Sequence, residues 1–308
     1  MKLEVIILAA GQGTRMKSRL PKVLHPVAGR PLLQHVVDTA NALDPAALHL
    51  VIGHGAELVR ERIDAPGATW VVQEQQLGTG HAVLQALPAI AADSLVLVLY
   101  GDVPLIGADI LASLVAQAER APALLTARLA DPSGYGRILR GHDGALLGVV
   151  EHKDASAAQL AIDEINTGVL AAPAADLVDY LPRVGNDNSQ GEYYLPDILS
   201  LAVADGKLVG SSEARSELDI LGVNDRLQLN QVEREYQRRR VEQLMRDGVS
   251  VADVSRVDIR GELSCGVDVT IDVGCVFEGE VTLGSGVSVG PNCVLKNVAV
   301  ADGARIAA

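Results

Sequence analysis

From residue 257 onward the chain repeats every six residues, and no other feature restricts its fold so tightly. Val257, Leu263, Val269, Cys275, Val281, Val287, Cys293 and Ala299 share one phase. Ile259, Cys265, Ile271, Phe277, Leu283, Val289 and Leu295 follow two positions behind. A six-residue period with glycines at the turns predicts a parallel β-helix, in which each coil buries its small apolar residues against the next. With three hexads to a coil, Cys275 and Cys293 stand one coil apart, within about 5 Å of each other. We read them as reduced, buried thiols. The repeat is still running at Ala308 without a capping segment, so the chain is expected to be a truncated piece of something longer.

The first 220 or so residues follow a different rule. Short β-branched runs at Glu4–Ala9, His49–Ile52, Thr69–Gln73 and Leu95–Tyr100 alternate with helical spacing at Leu32, Leu33, Val36, Val37, Ala40 and Leu43, and more loosely from Ala82 to Leu87. This is the pattern of βα units around a largely parallel sheet covered on both faces. Such sheets bind ligands at the carboxyl edge of their strands. Near Asn224 the pattern becomes a long amphipathic helix, with Leu227, Val232, Tyr236, Val241, Leu244 and Met245 inside, Asn224 or Asp225 as cap and Gly248 after its end. The expected organisation is an α/β domain at 1–223, a linking helix at 224–248 and the start of a β-helix at 249–308. A length of 308 residues suits about two domains.

Thirty-nine acidic against 26 basic residues give a net charge of −13, which repels nucleic acid and anionic membranes. Any phosphate-bearing ligand must therefore meet local positive charge. The three cysteines form no C-x-x-C pair and leave an odd count, which suits a reducing compartment. The apolar run after Met1 is too short to span a bilayer and enters a glycine turn, so a cytoplasmic protein is expected.

That turn is the first motif with chemistry in it: Leu8-Ala9-Ala10-Gly11-Gln12-Gly13-Thr14-Arg15-Met16, followed by Lys22. Glycines after a buried strand let backbone N–H groups approach an anion, and Arg15 and Lys22 supply the missing charge. A nucleoside triphosphate fits. A Rossmann fingerprint and a Walker loop both fail, because each needs glycine where Met16 stands. The second motif is Asp102, at the end of the apolar run Leu95–Tyr100, where a carboxylate can hold a hard cation such as Mg²⁺. Weaker elements are Gln73 and Gln76 before Leu77-Gly78-Thr79-Gly80-His81, then Gly134-Tyr135-Gly136-Arg137, Glu151-His152-Lys153-Asp154 and Glu164-Ile165-Asn166-Thr167-Gly168. The seven histidines show no metal-ligand spacing, and no serine or cysteine has the setting of a hydrolase nucleophile.

Taken in order, LAAGQGTRM, PKVLHPVAG, QLGTGHA, LYGDVPL, GYGRI, EHKD, EINTG, NDNSQGEYYLPD and GVNDRLQL span essentially the whole chain. The set resembles bacterial N-acetylglucosamine-1-phosphate uridylyltransferase. The resemblance implies a Rossmann-like nucleotidyltransferase domain, with a mostly parallel mixed sheet between helices, then a linking helix and a left-handed β-helix. It implies a reaction in which N-acetylglucosamine 1-phosphate attacks the α-phosphorus of UTP, giving UDP-N-acetylglucosamine, a precursor of peptidoglycan and lipopolysaccharide, and pyrophosphate.

By the same resemblance, Asp102 and Asn224 would bind Mg²⁺, while Arg15 and Lys22 would neutralise phosphate charge as the catalytic pair. The stretch Leu8, Ala9, Ala10, Gly11 and Gly13, with Gln73 and Gly78, would hold the nucleotide. Thr79 and Tyr100 would line the pocket, and Gly136, Glu151 and Asn166 would read the N-acetylated sugar. The family also carries an acetyltransferase site whose residues would lie past Ala308, so acetyl transfer is not assigned to this chain. It assembles as a trimer through the β-helix. Two other readings stay open in the sequence: a pyrophosphorylase for another base or sugar, and a non-catalytic relative that kept the shape.

Overall fold

Residues 4–9 are buried without alternation, so the strand they form must be covered on both faces. The computed structural model describes residues 1–307. It divides into two units, Met1–Leu24 with Leu32–Asn224, and His25–Pro31 with Asp225 onward. The hairpin segment His25–Pro31 thus groups with the C-terminal unit although it lies early in the chain. Among the described residues no helix is long and apolar enough to cross a membrane.

The sheet of the first unit contains β1 (Leu3–Ala9), β2 (Ala47–Ile52), β3 (Thr69–Val72), β4 (Leu95–Tyr100), β5 (Ala123–Arg128), β6 (Arg137–Arg140), β7 (Leu146–Val150), β8 (Glu164–Pro173) and β9 (Gly210–Glu213). Its spatial order is β9-β5-β8-β4-β1-β2-β3, with β6 attached to β8 and β7 to β6. β1 pairs in parallel with β2 and β4, β2 with β3, and β5 with β9. β8 runs antiparallel to β4 and β5. The sheet is therefore mixed and mostly parallel on the β1 side.

One face is covered by Leu33, Val36 and Val37 of α1 (Leu32–Asn41), where the sequence predicted a helix, and by Leu111 and Leu114 of α3 (Ala108–Gln117). The other is covered by Val83 and Ala86 of α2 (Thr79–Ala86) and by Ile198 and Leu199 of α4 (Asp197–Ala204). Side chains such as Ile7 and Leu50 are fully buried, each contributing about 1.5–3 kcal/mol relative to exposure. The same layers fix where the strand ends point. Gln73, expected inside the third strand, lies just past the end of β3.

In the second unit α5 runs Arg226–Arg246, and Asp225 caps it by accepting hydrogen bonds from the Leu227 and Gln228 N–H groups at 2.9 Å. Its buried residues are Val232, Glu235, Gln237 and Val241. Leu227 and Met245, expected inside, are 78% and 41% exposed. The cause is polar packing. Gln237 donates to the Ile259 carbonyl at 2.9 Å and accepts its N–H at 2.8 Å, so the helix meets the adjoining strand through an amide as well as through apolar side chains.

That strand, Val257–Cys265, opens a three-strand parallel stack with Cys275–Leu283 and Val294–Val300. Short strands at Ser250–Val251, Thr270–Ile271, Ser288–Val289 and Arg305–Ile306 form a second parallel sheet. Val257 pairs with Cys275 and Ile259 with Phe277, so a coil is three hexads long. The predicted core positions from Val257 to Leu295 are buried, with Cys265 partly so. Ala299 departs from the prediction and is exposed. The register shifts after Glu278, so that Val281 faces Val298 and Thr282 faces Ala299, and the last coil is one residue short. Asn297 absorbs the slip at φ +46°, accepting the Glu280 N–H at 3.1 Å. Cys265, Cys275 and Cys293 are free thiols, and burial pushes Cys265 up to about 11.

Candidate active site

The chain leaves β1, fills β2 and β3 on one side, then crosses back to β4 on the other side of β1. The carboxyl ends of β1 and β4 therefore flank a topological switch point, the usual crevice for a ligand in an open α/β sheet. The Gly101 N–H donates to the Leu8 carbonyl at 2.9 Å and ties the two exits together. Here lies a cavity of about 280 Å³. Leu8, Ala9, Ala10 and Gly11 form its floor, and Gln73, Gly78, Thr79 and Tyr100 form a wall. Lys22 and Asp102 stand at the same cavity. Ten of the residues predicted as site residues are thus brought together.

The wall is held by backbone. The Tyr193 N–H donates to the Leu77 carbonyl and the Gly80 N–H to the Tyr193 carbonyl, both at 2.8 Å. Leu195 N–H donates to Thr79 Oγ1 at 3.1 Å. Gln73 is buried, and its amide nitrogen donates to the Gly78 carbonyl at 3.2 Å and lies 3.0 Å from His81 Nδ1, which fixes how the amide faces the cavity. Gln76 donates to the Ala10 carbonyl at 2.7 Å and so steadies the glycine loop.

The cationic part of the site depends on Gly13. Its φ of +62° lies in the left-handed region, and a Cβ there would stand 2.6 Å from Lys22 Cβ. Only glycine lets the two backbones come so close. Lys22 Nζ donates to Asp102 Oδ2 and, at 3.1 Å, to Asn224 Oδ1. Asn224 Nδ2 in turn donates to the Gly222 carbonyl at 3.3 Å, which turns its oxygen toward Lys22. A carboxylate oxygen and a carboxamide oxygen therefore converge on one cation. Such hard donors suit Mg²⁺, and the ammonium between them marks a cation-sized position, so the residues present fit that metal. Arg15 is exposed in the turn Thr14–Met16 and does not line the cavity.

Gly136, Glu151 and Asn166 form a second cluster beside the first. The Asn166 N–H donates to the Gly136 carbonyl at 2.8 Å, and a Cβ on Gly136 would stand 2.9 Å from Glu151 Oε1. The β8–β5 register shifts between Asn166 and Leu170, and such a bulge re-aims side chains that a regular strand would point elsewhere. Gly168, at φ +83°, sits in that bulge, and a Cβ there would strike the Tyr100 ring at 2.6 Å. Tyr100 thereby joins the two clusters. Burial raises its phenol well above the ordinary value, against the hydrogen bond with Thr79. Burial also raises Glu151; the hydrogen bond with Asn166 opposes this, and the charges of Asp197, Asp154 and Glu192 add to it.

Three residues here were named only inside motifs and given no role of their own by sequence reasoning. Glu192 lines the cavity from within the QGEYY motif. Arg137 is 2% exposed and donates to the Pro132 and Tyr135 carbonyls, pinning the loop that carries Gly136. Asp197 opens α4, and burial, with the charge of Asp154, raises its carboxyl to about 6. Arg137 closed the Gly134-Tyr135-Gly136-Arg137 element, and Glu192 and Asp197 lay inside NDNSQGEYYLPD, but nothing local distinguished them from their neighbours.

A family described as the MobA-like NTP transferase domain matches residues 5–163. The bifunctional protein GlmU of Pseudomonas putida strain KT2440 is 54% identical over 309 residues, covering 100% of this chain and 68% of that protein. GlmU of Dechloromonas aromatica strain RCB is 55% identical over 306 residues, covering 99% and 68%. Among solved structures, a UDP-glucose pyrophosphorylase in complex with UDP-glucose superposes with a TM-score of 0.64 at 17% identity, covering 78% of this chain and 100% of that one. A nucleotidyl transferase from Methanothermobacter thermautotroptrophicus gives 0.55 at 20% identity, covering 77% and 99%. At such identities the structures speak for the fold alone.

Proposed function

Because the chain belongs to the GlmU family and is a nucleotidyltransferase of the UDP-N-acetylglucosamine pyrophosphorylase type, we propose that it transfers UMP from UTP to N-acetylglucosamine 1-phosphate by direct in-line attack, releasing pyrophosphate, with Mg²⁺ held by Asp102 and Asn224. The observation that carries this reading is the convergence of Asp102 Oδ2 and Asn224 Oδ1 on one cation beside the glycine loop. Bound there, Mg²⁺ would supply charge neutralisation for the triphosphate.

The remaining work falls to positioning. The sugar phosphate is already ionised near neutral pH, so its oxygen can attack the α-phosphorus without a general base, displacing pyrophosphate. Lys22, held close by Gly13, would neutralise charge near the reacting phosphorus. Arg15, exposed on the turn that follows, would meet the outer phosphates. Ala10, Gly11, Gln73 and Gly78 would take the base, with the Gln73 amide held in one orientation by Gly78. Thr79 and Tyr100 would separate nucleotide from sugar, and Glu151, Asn166 and Gly136 would take the N-acetylated sugar.

The same reading puts the reaction in the cytoplasm, in keeping with three free thiols. Assembly of three chains through the β-helix is the family's further expectation, and sedimentation velocity would measure it. The reaction itself is tested by pyrophosphate release with UTP against dTTP, and with N-acetylglucosamine 1-phosphate against glucose 1-phosphate, in Mg²⁺. UTP with the N-acetylated sugar should be the fastest pair. Faster release with another pair would remove the assignment of base or sugar.

A further inference from the structure

Lys22 occupies the position that the proposed function gives to the metal. Its ammonium donates to both Asp102 Oδ2 and Asn224 Oδ1, and the Lys22 and Asp102 side chains are only 13% and 16% exposed, so water screens their attraction weakly. An ammonium and a divalent ion cannot share one position between two oxygens.

We propose that Lys22 is a built-in placeholder cation, which holds the metal position in the nucleotide-free protein and yields it when a triphosphate draws the ammonium away. The inference rests on the reading of Asp102 and Asn224 as metal ligands and adds an order of binding to it. The metal then enters with the nucleotide instead of waiting for it.

Two features of the chain support the exchange. The backbone of Lys22 is fixed, since it abuts Gly13 and is followed by the buried Val23 and Leu24 in the turn Lys22–Leu24. Movement must therefore come from the side chain, whose flexible four-carbon stem can carry the ammonium to a new partner while the main chain stays in place. Charge sets the direction. Among the described residues Lys22 is the cation paired with Asp102, so a divalent ion added without a polyanion would leave excess positive charge in a poorly screened site. A triphosphate removes that excess and offers Lys22 its new partner.

The experiment is a Mn²⁺ titration of the nucleotide-free protein, reading free Mn²⁺ by electron paramagnetic resonance. Lys22→Met and, as a second uncharged variant, Lys22→Gln should bind Mn²⁺ about tenfold more tightly than the wild type, because a positive charge a few ångströms from the ion is gone. Lys22→Arg, which keeps the charge, should stay near the wild-type affinity. Circular dichroism checks that each variant is folded. Equal or weaker Mn²⁺ binding by both folded uncharged variants would overturn the placeholder. Asp102→Asn placed on top of Lys22→Met should abolish the gain. A gain that survives Asp102→Asn would instead overturn the ligand assignment beneath the proposal, so the two failures are distinct.

Discussion

The β-helix and the cleft at the carboxyl ends of β1 and β4 are built on opposite principles. In the β-helix each coil repeats the last, and two inward residues in six are enough to define the core from Val257 to Leu295. In the cleft almost nothing repeats. Lys22 meets Asp102 across 80 residues of sequence and Asn224 across 202. The contrast separates two kinds of specification: a period can set a scaffold, whereas a site of converging oxygens needs the whole topology first. It follows that substitutions in the cleft should act on turnover, and those in the β-helix on stability.

The largest effect is expected at Asp102. Asp102→Ala should reduce pyrophosphate release by about a hundred- to a thousandfold, the range seen when one charge-stabilising group is removed, with little change in the thermal unfolding midpoint. The opposite case is Phe277→Ala, a 1% exposed side chain in the β-helix. It should cost about 3–5 kcal/mol in denaturant unfolding while the folded protein keeps its rate. A loss of activity without loss of stability at Phe277 would break the contrast.

Gly13→Ala tests whether a backbone position can matter to chemistry. It forces a Cβ into the left-handed region against Lys22, so it should cost about 1–3 kcal/mol of stability and lower turnover with UTP. Unfolding curves and initial rates measured side by side would show both. The smallest effect concerns Asp197. Its native carboxyl is raised from 3.8 to about 6, so the fold favours the neutral acid and wild-type stability falls as pH climbs through that interval. Asp197→Asn lacks that penalty. It should be about 1 kcal/mol more stable than the wild type at pH 7.5, after allowance for solvent screening, and the difference should shrink toward zero at pH 4.

Much of the scaffold was legible because burial imposes a period. β1 reads as an apolar run, α1 as a helical stripe and the β-helix as hexads. Ala299 misled because a single missing residue shifts the register, and a shifted hexad looks the same on paper. Leu227 and Met245 misled because α5 also buries Gln237, which bonds Ile259 on the adjoining strand, and Glu235, which pairs with Arg238 and Arg239 on the helix itself. In the cleft, the glycine loop, Lys22 and Asp102 were readable from their setting at strand ends. Asn224 was reachable only through family resemblance, since locally it is one of two equivalent helix caps. The structure divides the two roles: Asp225 caps α5, and Asn224 faces Lys22. Glu192 and Asp197 were quoted within NDNSQGEYYLPD without a role, because what they face, the cavity and Asp154, is remote in sequence.

In the proposed reaction Asp102 and Asn224 together hold the metal. The most direct measurement is the Mg²⁺ concentration for half-maximal pyrophosphate release in the wild type and in Asn224→Ala at saturating UTP. Loss of one of two protein ligands predicts an increase of about tenfold or more in that concentration. An unchanged Mg²⁺ dependence in a folded Asn224→Ala protein would contradict it.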